Sequence, residues 1–511
     1  MMRLCEGPST PFAAVALGAA LLAGCASGPD FHTPPAPAAE RYTAQTLPAE
    51  TAAAPGPAGQ AQRFVSGRDI PGEWWTLFRS EPLDRLIRQA LADSPTLAAA
   101  QATLRQAQEE LRAGSSALFP QVDAGVGAAR QRANVPTPTD PRATGVFNLY
   151  NASVQVSYTL DVFGGVRRQI EALQAQADYQ DDQLEAAHLA LTANLVTTAV
   201  QEAALRAQRA ATQDIAAIQQ KQLDLVERRF QLGGIARSEV LAQQALLAQT
   251  RAALPGIERS LAQTRHRLAV LAGRLPDAAD LPEFTLESLQ LPVELPVSVP
   301  SALVRQRPDI RAAEALLHSA NALVGVATAN LYPQITLSGS YGFAATSPGR
   351  LFDGNSVLWS AGASLLQPLF HAGQLDARRA AAVAAHDAAA AQYRSTVLLA
   401  FQNVADTLRA LEADALTLQA QAEAEATARA SLDLATRQYQ LGATSSLAVL
   451  DAQRQYQQAR VALVQAQAAR HADTAALFQA MGGGWWNRPD RVAEARDRPA
   501  AETRRPNRTE P

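Results

Sequence analysis

Aromatic residues are scarce in this chain of 511 residues, at 5%, too few to build large globular cores around packed rings. Cysteine is scarcer still: Cys5 and Cys25 are the two in the chain, so no disulfide framework holds the fold. Among 45 basic residues only Lys221 is a lysine, and it stands in an unbroken helical stretch with no glycine-rich loop before it. That excludes a Walker-type phosphate loop and ATP hydrolysis by that route. Net charge is −3 and no long basic run occurs, which leaves nothing to hold a nucleic acid. The histidines are scattered, and no His-x-x-x-His, Cys-x-x-Cys or Gly-x-Ser-x-Gly pattern appears. Neither a metal site, a cofactor nor a catalytic residue is therefore expected, and the chain does not read as an enzyme. Asp181-Asp182 is a carboxylate pair, but in a long polar helix it reads as a solvated face. What the chain has in plenty is Ala, Gln, Leu and Arg, the composition of long helices packed closely through small side chains.

The N-terminus carries one positive charge, Arg3, and then an apolar run from Phe12 to Leu22, 11 residues long. About 20 are needed to span a bilayer, so residues 1–24 read as a secretory signal. The run ends in Leu22-Ala23-Gly24-Cys25, small residues before a cysteine, as a lipoprotein-processing site requires. Cys25 is then the lipidation site, its thiol taking a diacylglyceryl group and its freed amine a third chain; several acyl chains anchor stably where one does not. The alternative is an ordinary cleavage site that happens to precede a cysteine. Residues 25–66, rich in Pro, Ala, Thr and Gln, can bury little and read as an extended tether over other structure.

Beyond the tether the chain is written twice. Ser94-Pro95 with Leu118-Phe119-Pro120-Gln121 is echoed by Arg307-Pro308 with Leu331-Tyr332-Pro333-Gln334, the prolines 25 residues apart in both copies. Phe230-Gln231-Leu232-Gly233 matches Tyr439-Gln440-Leu441-Gly442, and Val240-Leu241 and Gly273 match Val449-Leu450 and Gly482, at an offset of 209. This is a duplication. Repeat 1 spans 67–273 and repeat 2 spans 304–484, with 274–303 between them. Each copy predicts a leading helix that opens on a proline (95–118; 308–331), then two alternating strands. The strands are 121–132 with 146–162, and 334–344 with 356–369. A run without Gly or Pro follows, Val166–Leu232 and Gln374–Leu441, long enough for a helix of about 100 Å. A turn near Gly233 or Gly442 reverses it, and a shorter helix returns (235–273; 444–481). The leading and returning helices together nearly match the long one in length, so they are expected to stack end to end beside it.

Four strands per chain cannot close in a membrane, where open edges leave backbone groups unpaired. Yet the strands alternate apolar with polar or small residues, as a barrel between lipid and water does. Closure then has to come from several chains; the alternative is a soluble sheet packed on helices. Tyr158 and Trp359 read equally as girdle aromatics or core residues. The long helices carry no wide apolar stripe, and Gln419–Arg429 is mostly Ala, Gln and Glu. Such helices suit a hollow cylinder rather than a solid core, or else an exposed coiled coil.

At this point the chain resembles the bacterial outer-membrane factors, the TolC-like channels of tripartite efflux pumps, and within them the lipoprotein subgroup of NodT type. The resemblance covers Cys25 to Trp485. It rests on Cys25 with Gly28-Pro29-Asp30-Phe31 and Pro34, on Trp74-Trp75 with Phe78, Pro82 and Leu83, and on the doubled Pro-Gln junctions. The doubled Leu-Gly tips and the closing Met481-Gly482-Gly483-Gly484-Trp485 complete it. It implies an α+β fold of duplicated units, in which long helical hairpins form a periplasmic helical barrel. A homotrimer would complete a 12-stranded transmembrane β-barrel, four strands from each chain. It implies a cell outer-membrane location, both lipid-anchored and membrane-spanning; Ala26 and Ser27 fit, since neither is the Asp that redirects bacterial lipoproteins. Its partners would be a periplasmic adaptor protein docking at the tips around Gly233, Gly442 and Tyr439, and an inner-membrane pump of the RND type supplying energy. The function implied is a passive, gated exit duct for drugs or other small molecules. A protein-secretion outlet of type I and a structural coiled-coil lipoprotein are the alternatives.

The resemblance also points to a periplasmic gate just past the second tip. Leu447, Asp451 and Arg454 fall at i, i+4 and i+7, on one face of the returning helix, whereas the first copy has Ser238, Ala242 and Ala245. Leu447 would form an apolar ring, Asp451 a carboxylate ring, and Arg454 the partner holding neighbouring helices shut. Ala448 stands where some relatives carry a second acidic residue. The alternative is a plain Asp–Arg surface pair at i, i+3. The charged, proline-punctuated end, 485–511, reads as disordered. If Cys25 carries lipid, metabolic labelling with a fatty acid marks the protein and Cys25→Ser abolishes the label; a variant that still labels would refute the assignment.

Overall fold

The computed structural model describes residues 27–134 and 144–497. The signal segment, Cys25, the centre of the first inter-strand loop and the chain beyond Asp497 lie outside them. The elements run β1 (Arg63–Ser66), α1 (Glu81–Asp93), α2 (Pro95–Ser115), β2 (Gln121–Asn134), β3 (Thr144–Leu160), α3 (Gly165–Gln231) and α4 (Arg237–Leu271). They continue with β4 (Glu294–Val297), α5 (Pro300–Gln306), α6 (Pro308–Ala329), β5 (Gln334–Ala345), β6 (Val357–Leu366), α7 (Gln374–Gln440), α8 (Ser446–Ala480) and α9 (Pro489–Asp497). The fold is α+β and repeated: α3 and α7 are 67 residues each, and the returning helices α4 and α8 are 35 each. Among the described residues no helix is long and apolar enough to cross a membrane.

The chain forms two compact units. The first takes the chain up to Pro34, Thr103–Asp181 and Ala312–Arg394. Its centre is an antiparallel sheet of order β2-β3-β5-β6, whose outer strands β2 and β6 are open edges. Register sorts the side chains onto two faces. One carries Val122, Ala124 and Val126 against Val156, Val154 and Ala152, then Tyr341, Leu337 and Ile335 against Trp359, Ala363 and Leu365. The other carries Ser153, Gln155, Ser157 and Thr159 against Gly342, Ser340, Ser338 and Thr336. Tyr158 and Trp359 both lie on the apolar face, and Trp359 is 74% exposed, so it is no core residue. β6 stops at Leu366, short of 369, because Pro368 has no amide to donate. β3 ends at Leu160 because Asp161 turns to cap α3: its carboxylate accepts from the amides of Val166 and Arg167, both at 2.9 Å.

The start of the tether belongs to this unit and is held by specific contacts. The Ser27 amide donates to the Phe163 carbonyl at 3.0 Å. Gly28 lies so close to Gly325 that a Cβ there would come within 2.5 Å of its Cα. Arg168, nearly buried, donates to the Ser27 carbonyl at 3.2 Å, to Asp30 at 2.6 Å and to Glu171 at 2.7 Å. Phe31 stacks on His318 with ring centroids 4.2 Å apart.

The second unit takes Pro35–Ala102, Asp182–Arg311 and Ser395 onward. A short parallel pair, β1 with β4, sits beside a core of Trp74, Phe78 and Phe478, in which Trp74 and Phe478 stack at 5.3 Å. The tether buries more here than its composition predicts. Thr51 and Gln62 are fully enclosed and both accept from the guanidinium of Arg470, itself 0% exposed, at 3.0 and 2.8 Å. Arg470 also donates to the Ala58 carbonyl at 2.9 Å. The expectation of a disordered end fails for residues 485–497, which fold as a 3-10 turn and α9. The reason is a buried charge: Glu185 is enclosed and needs cations, and Arg488 and Arg491 supply them at 2.8 and 2.7 Å. Trp485 adds a hydrogen bond to the Gln306 carbonyl and a ring that Arg311 covers at 4.8 Å. The solvated-face reading of Asp181-Asp182 is corrected as well. Asp182 is 3% exposed and ion-paired with Arg311 at 2.8 Å.

His471 is fully buried, and neither ring nitrogen has a hydrogen-bond partner. Burial, then the adjacent Arg470 charge, lowers its pKa from 6.5 to about 4. Between those values the unfolded chain binds a proton that the folded chain refuses, so this histidine costs stability as pH falls through the window. The full cost is about 3 kcal/mol at pH 4. Asp473 acts in the opposite sense: burial and its neighbour Asp414 push it up to about 7, so acid favours its folded form. The contribution of His471 is therefore isolated by substitution. In detergent, the midpoint of thermal unfolding should fall several degrees further in wild type than in His471→Leu between pH 7 and 4.5. Parallel pH profiles for the two proteins would contradict this.

Candidate functional site at the helical tips

Both long helices end in the same turn. In the first, the Gly233 amide donates to the Phe230 carbonyl at 2.9 Å and the Gly234 amide to Arg229 at 2.9 Å; in the second, Gly442 donates to Tyr439 at 3.1 Å and Ala443 to Gln438 at 2.8 Å. Gly233 and Gly442 sit at φ +75 and +76, a conformation costly for any residue with a Cβ. The turns push Leu232 and Leu441 outward, 86% and 84% exposed. Two matched apolar knobs thus stand at the ends of the hairpins.

Beneath the turns the two hairpins are fastened together. Leu223, Val226, Val240 and Leu247 of the first pack with Tyr439 and Val449 of the second. Arg229 reaches across to the end of α7, donating to the Tyr439 carbonyl at 2.9 Å and the Gln440 carbonyl at 2.8 Å. The Tyr439 carbonyl also accepts from the Gly442 amide, and the guanidinium meets the negative end of the helix dipole. The same group lies 4.6 Å over the Tyr439 ring. The Tyr439 hydroxyl donates to Glu239, in the first turn of α4, at 3.4 Å. Burial, with the Glu239 charge behind it, holds that hydroxyl above its usual pKa of 10. Tyr439 is 3% exposed, so it is not a surface for a docking partner. It joins the tips to each other. One helical step deeper, Gln243 donates to the Gln219 carbonyl at 3.1 Å and to the Gln453 side chain at 3.3 Å. Buried amides at this spacing fix the register of the hairpins.

Leu447, Asp451 and Arg454 lie together on the exposed face of α8, while Val449, Leu450, Ala452 and Gln453 fill its buried face. Asp451 accepts a hydrogen bond from Gln455 at 2.8 Å. Among the described residues no ion pair joins Asp451 to Arg454 within the chain, so the plain i, i+3 pair does not form. The structure places the three residues on one line of the helix without intrachain closure. Sequence reasoning missed Arg229 and Glu239. Nothing local separates Arg229 from the many other arginines, and its partners lie 210 residues away.

The comparisons agree with this geometry. The family model for outer membrane efflux proteins matches residues 86–274 and 299–483. The chain is 34% identical over 445 residues to the pyoverdine export outer membrane protein OpmQ of Pseudomonas putida, covering 84% of this chain and 92% of that one. It is 30% identical over 496 residues to the probable efflux pump outer membrane protein TtgC of the same species, covering 96% and 98%. Its structure is similar to that of the outer-membrane channel OprN, with a TM-score of 0.80 at 29% identity, covering 90% of this chain and all of that one. The chain belongs to the outer membrane efflux protein family. It is the outer-membrane channel of an efflux pump, a TolC-like duct.

Removing the Arg229 guanidinium takes away both of its bonds to the end of α7 and frees the tips to part. Charge-assisted bonds of this type contribute about 1.5–3 kcal/mol each when intact. In Arg229→Ala, hydrogen exchange of the amides at 228–234 and 437–443 should accelerate at least ~10-fold, with Arg228→Ala as a control that changes little. Equal protection in all three proteins would show that the bridge does not hold the tips.

Proposed function

We propose that three copies of the chain close into one channel, lipidated at Cys25 and gated by Leu447, Asp451 and Arg454. The observation that carries this is the four-stranded sheet with one apolar face, one polar face and two open edges. In a bilayer both edges have to be paired, and a copy on either side, β6 against β2, pairs them. Two copies give eight strands, a barrel just wide enough to be filled by its own side chains; three give 12, with a water-filled interior. The resting closure at α8 then comes from neighbouring chains, since Asp451 and Arg454 make no ion pair inside one.

The anchor has support of its own. The Ser27 amide is fixed to Phe163 at the base of the sheet. There Phe163 stacks on Tyr332 at 4.8 Å, and Phe119 and Phe370 are exposed. Such aromatics mark a membrane interface, and Cys25 lies two residues before Ser27. At the tips, Leu232 and Leu441 give a periplasmic adaptor protein an apolar pair to grip, with Gly233 and Gly442 supplying the turns. An inner-membrane pump of RND type provides the energy. The cargo is small organic solutes, the class to which the pyoverdine, toluene and antibiotic named for the relatives belong.

Antibiotic susceptibility in cells tests both ends of this reading. Asp451→Ala with Arg454→Ala should raise single-channel conductance and make cells leaky to large antibiotics such as vancomycin. Leu232→Asp with Leu441→Asp should abolish export at unchanged trimer level. A gate variant with wild-type conductance and susceptibility would refute the gate, and full export by the tip variant would refute tip docking.

A further inference from the structure

The polar face of the sheet is nearly free of charge. Following the register, it carries Gln121, Asp123, Gly125 and Gly127 on β2, and Asn151, Ser153, Gln155, Ser157 and Thr159 on β3. It continues with Thr336, Ser338, Ser340 and Gly342 on β5, and Ser360, Gly362 and Ser364 on β6. Among the described residues Asp123 is the one ionisable side chain on that face. Arg130 and Arg132 alternate onto the other face, at the loop end of β2. The hydroxyls bond to one another: Ser340 Oγ to Ser360 Oγ at 2.8 Å and Thr159 Oγ1 to Thr336 Oγ1 at 3.3 Å.

Asp123 occupies a particular row. Opposite it is Gln155, then Ser340, then Ser360, one side chain from each strand across the whole sheet. Its neighbours along the strand on this face, Gln121 and Gly125, carry no cation. It is exposed, and it is the third residue of β2, at the end of the sheet nearest the helices of its own unit.

We propose that Asp123 sets the charge preference of the barrel, biasing the duct toward cationic solutes at the level where they enter the membrane. Resting on the trimeric-channel reading, three copies form a ring of carboxylates in a tube whose described wall carries no other charge on that face. The remaining wall contributes no competing fixed charge, so the field inside the barrel is that of the ring alone. Its reach depends on salt. The Debye length is about 30 Å at 0.01 M, enough to cover a wide lumen, and about 3 Å at 1 M, where only the wall is affected. The preference is therefore an attractive bias on solutes in dilute medium rather than a binding site. Anionic cargo meets no positive ring in the barrel and has to be driven past this one.

The test is the reversal potential of purified channels in planar bilayers under a KCl gradient. Wild type should favour K⁺ over Cl⁻ at low salt. Asp123→Asn, which keeps the shape and removes the charge, should lower the permeability ratio ~2-fold or more at 0.01 M and leave it unchanged near 1 M. Asp123→Arg should abolish or invert the preference. Asp451→Asn is measured alongside it, because the tip carboxylates are the rival source of selectivity. If only Asp451→Asn shifts the potential and Asp123→Asn matches wild type at every salt concentration, the assignment of selectivity to Asp123 is wrong. If wild type itself gives no conductance, the channel reading fails with it, so the two failures are distinguishable.

Discussion

A backbone amide or carbonyl without a partner costs several kcal/mol in hydrocarbon, and the two outer strands of this sheet each present a row of them. Most other features follow from that constraint. The sheet cannot exist alone in a bilayer, so the chain is built as an arc of something larger. Because the arc separates lipid from water, its strands alternate Val, Leu and Tyr with Ser, Thr and Gln rather than running continuously apolar. The helices that follow the strands keep open apolar faces as well. Leu398, Leu399 and Leu416 of α7 remain largely exposed, as does the face bearing Leu447, Asp451 and Arg454.

Duplication supplies the architecture economically, and the copies differ at particular places. The turns at Gly233 and Gly442 match, as do their exposed leucines. Beyond them the copies part: Ser238, Ala242 and Ala245 in one are Leu447, Asp451 and Arg454 in the other. The bridge under the tips is just as one-sided. Arg229 of the first hairpin caps the long helix of the second, while among the described residues the corresponding Gln438 makes no such bond to the first hairpin, its carbonyl accepting from Ala443 in its own turn. A tie of a few charge-assisted bonds is strong enough to define a resting state.

Away from the tips, the second unit is held by polar centres that are buried and met from distant parts of the chain. Arg470 gathers Thr51, Ala58 and Gln62 of the tether, and Glu185 gathers Arg488 and Arg491 of the C-terminal helix. Each would be expensive if left unmet, so each fixes a segment whose own composition binds nothing. That is how a Pro- and Ala-rich tether and a charged tail come to have defined positions.

The sequence by itself determined what depends on local chemistry and periodicity. Prolines opening α2 and α6, uninterrupted runs for α3 and α7, glycines at the tips and strict alternation in β2, β3, β5 and β6 each state their conformation within a few residues. Duplication made the second copy a check on the first. The line Leu447–Asp451–Arg454 was legible too, because helical spacing alone puts three residues on one face. The tertiary structure decided what depends on partners far along the chain. Asp182 reads as solvated until Arg311 is brought to it, and Trp485–Asp497 reads as disordered until Glu185 requires its arginines. Tyr439 reads as a surface residue of the tip until Arg229 and the first hairpin cover it. In each case the energy belongs to a pair, and one-dimensional pattern carries no record of which two residues, 129 to 306 positions apart, will share it.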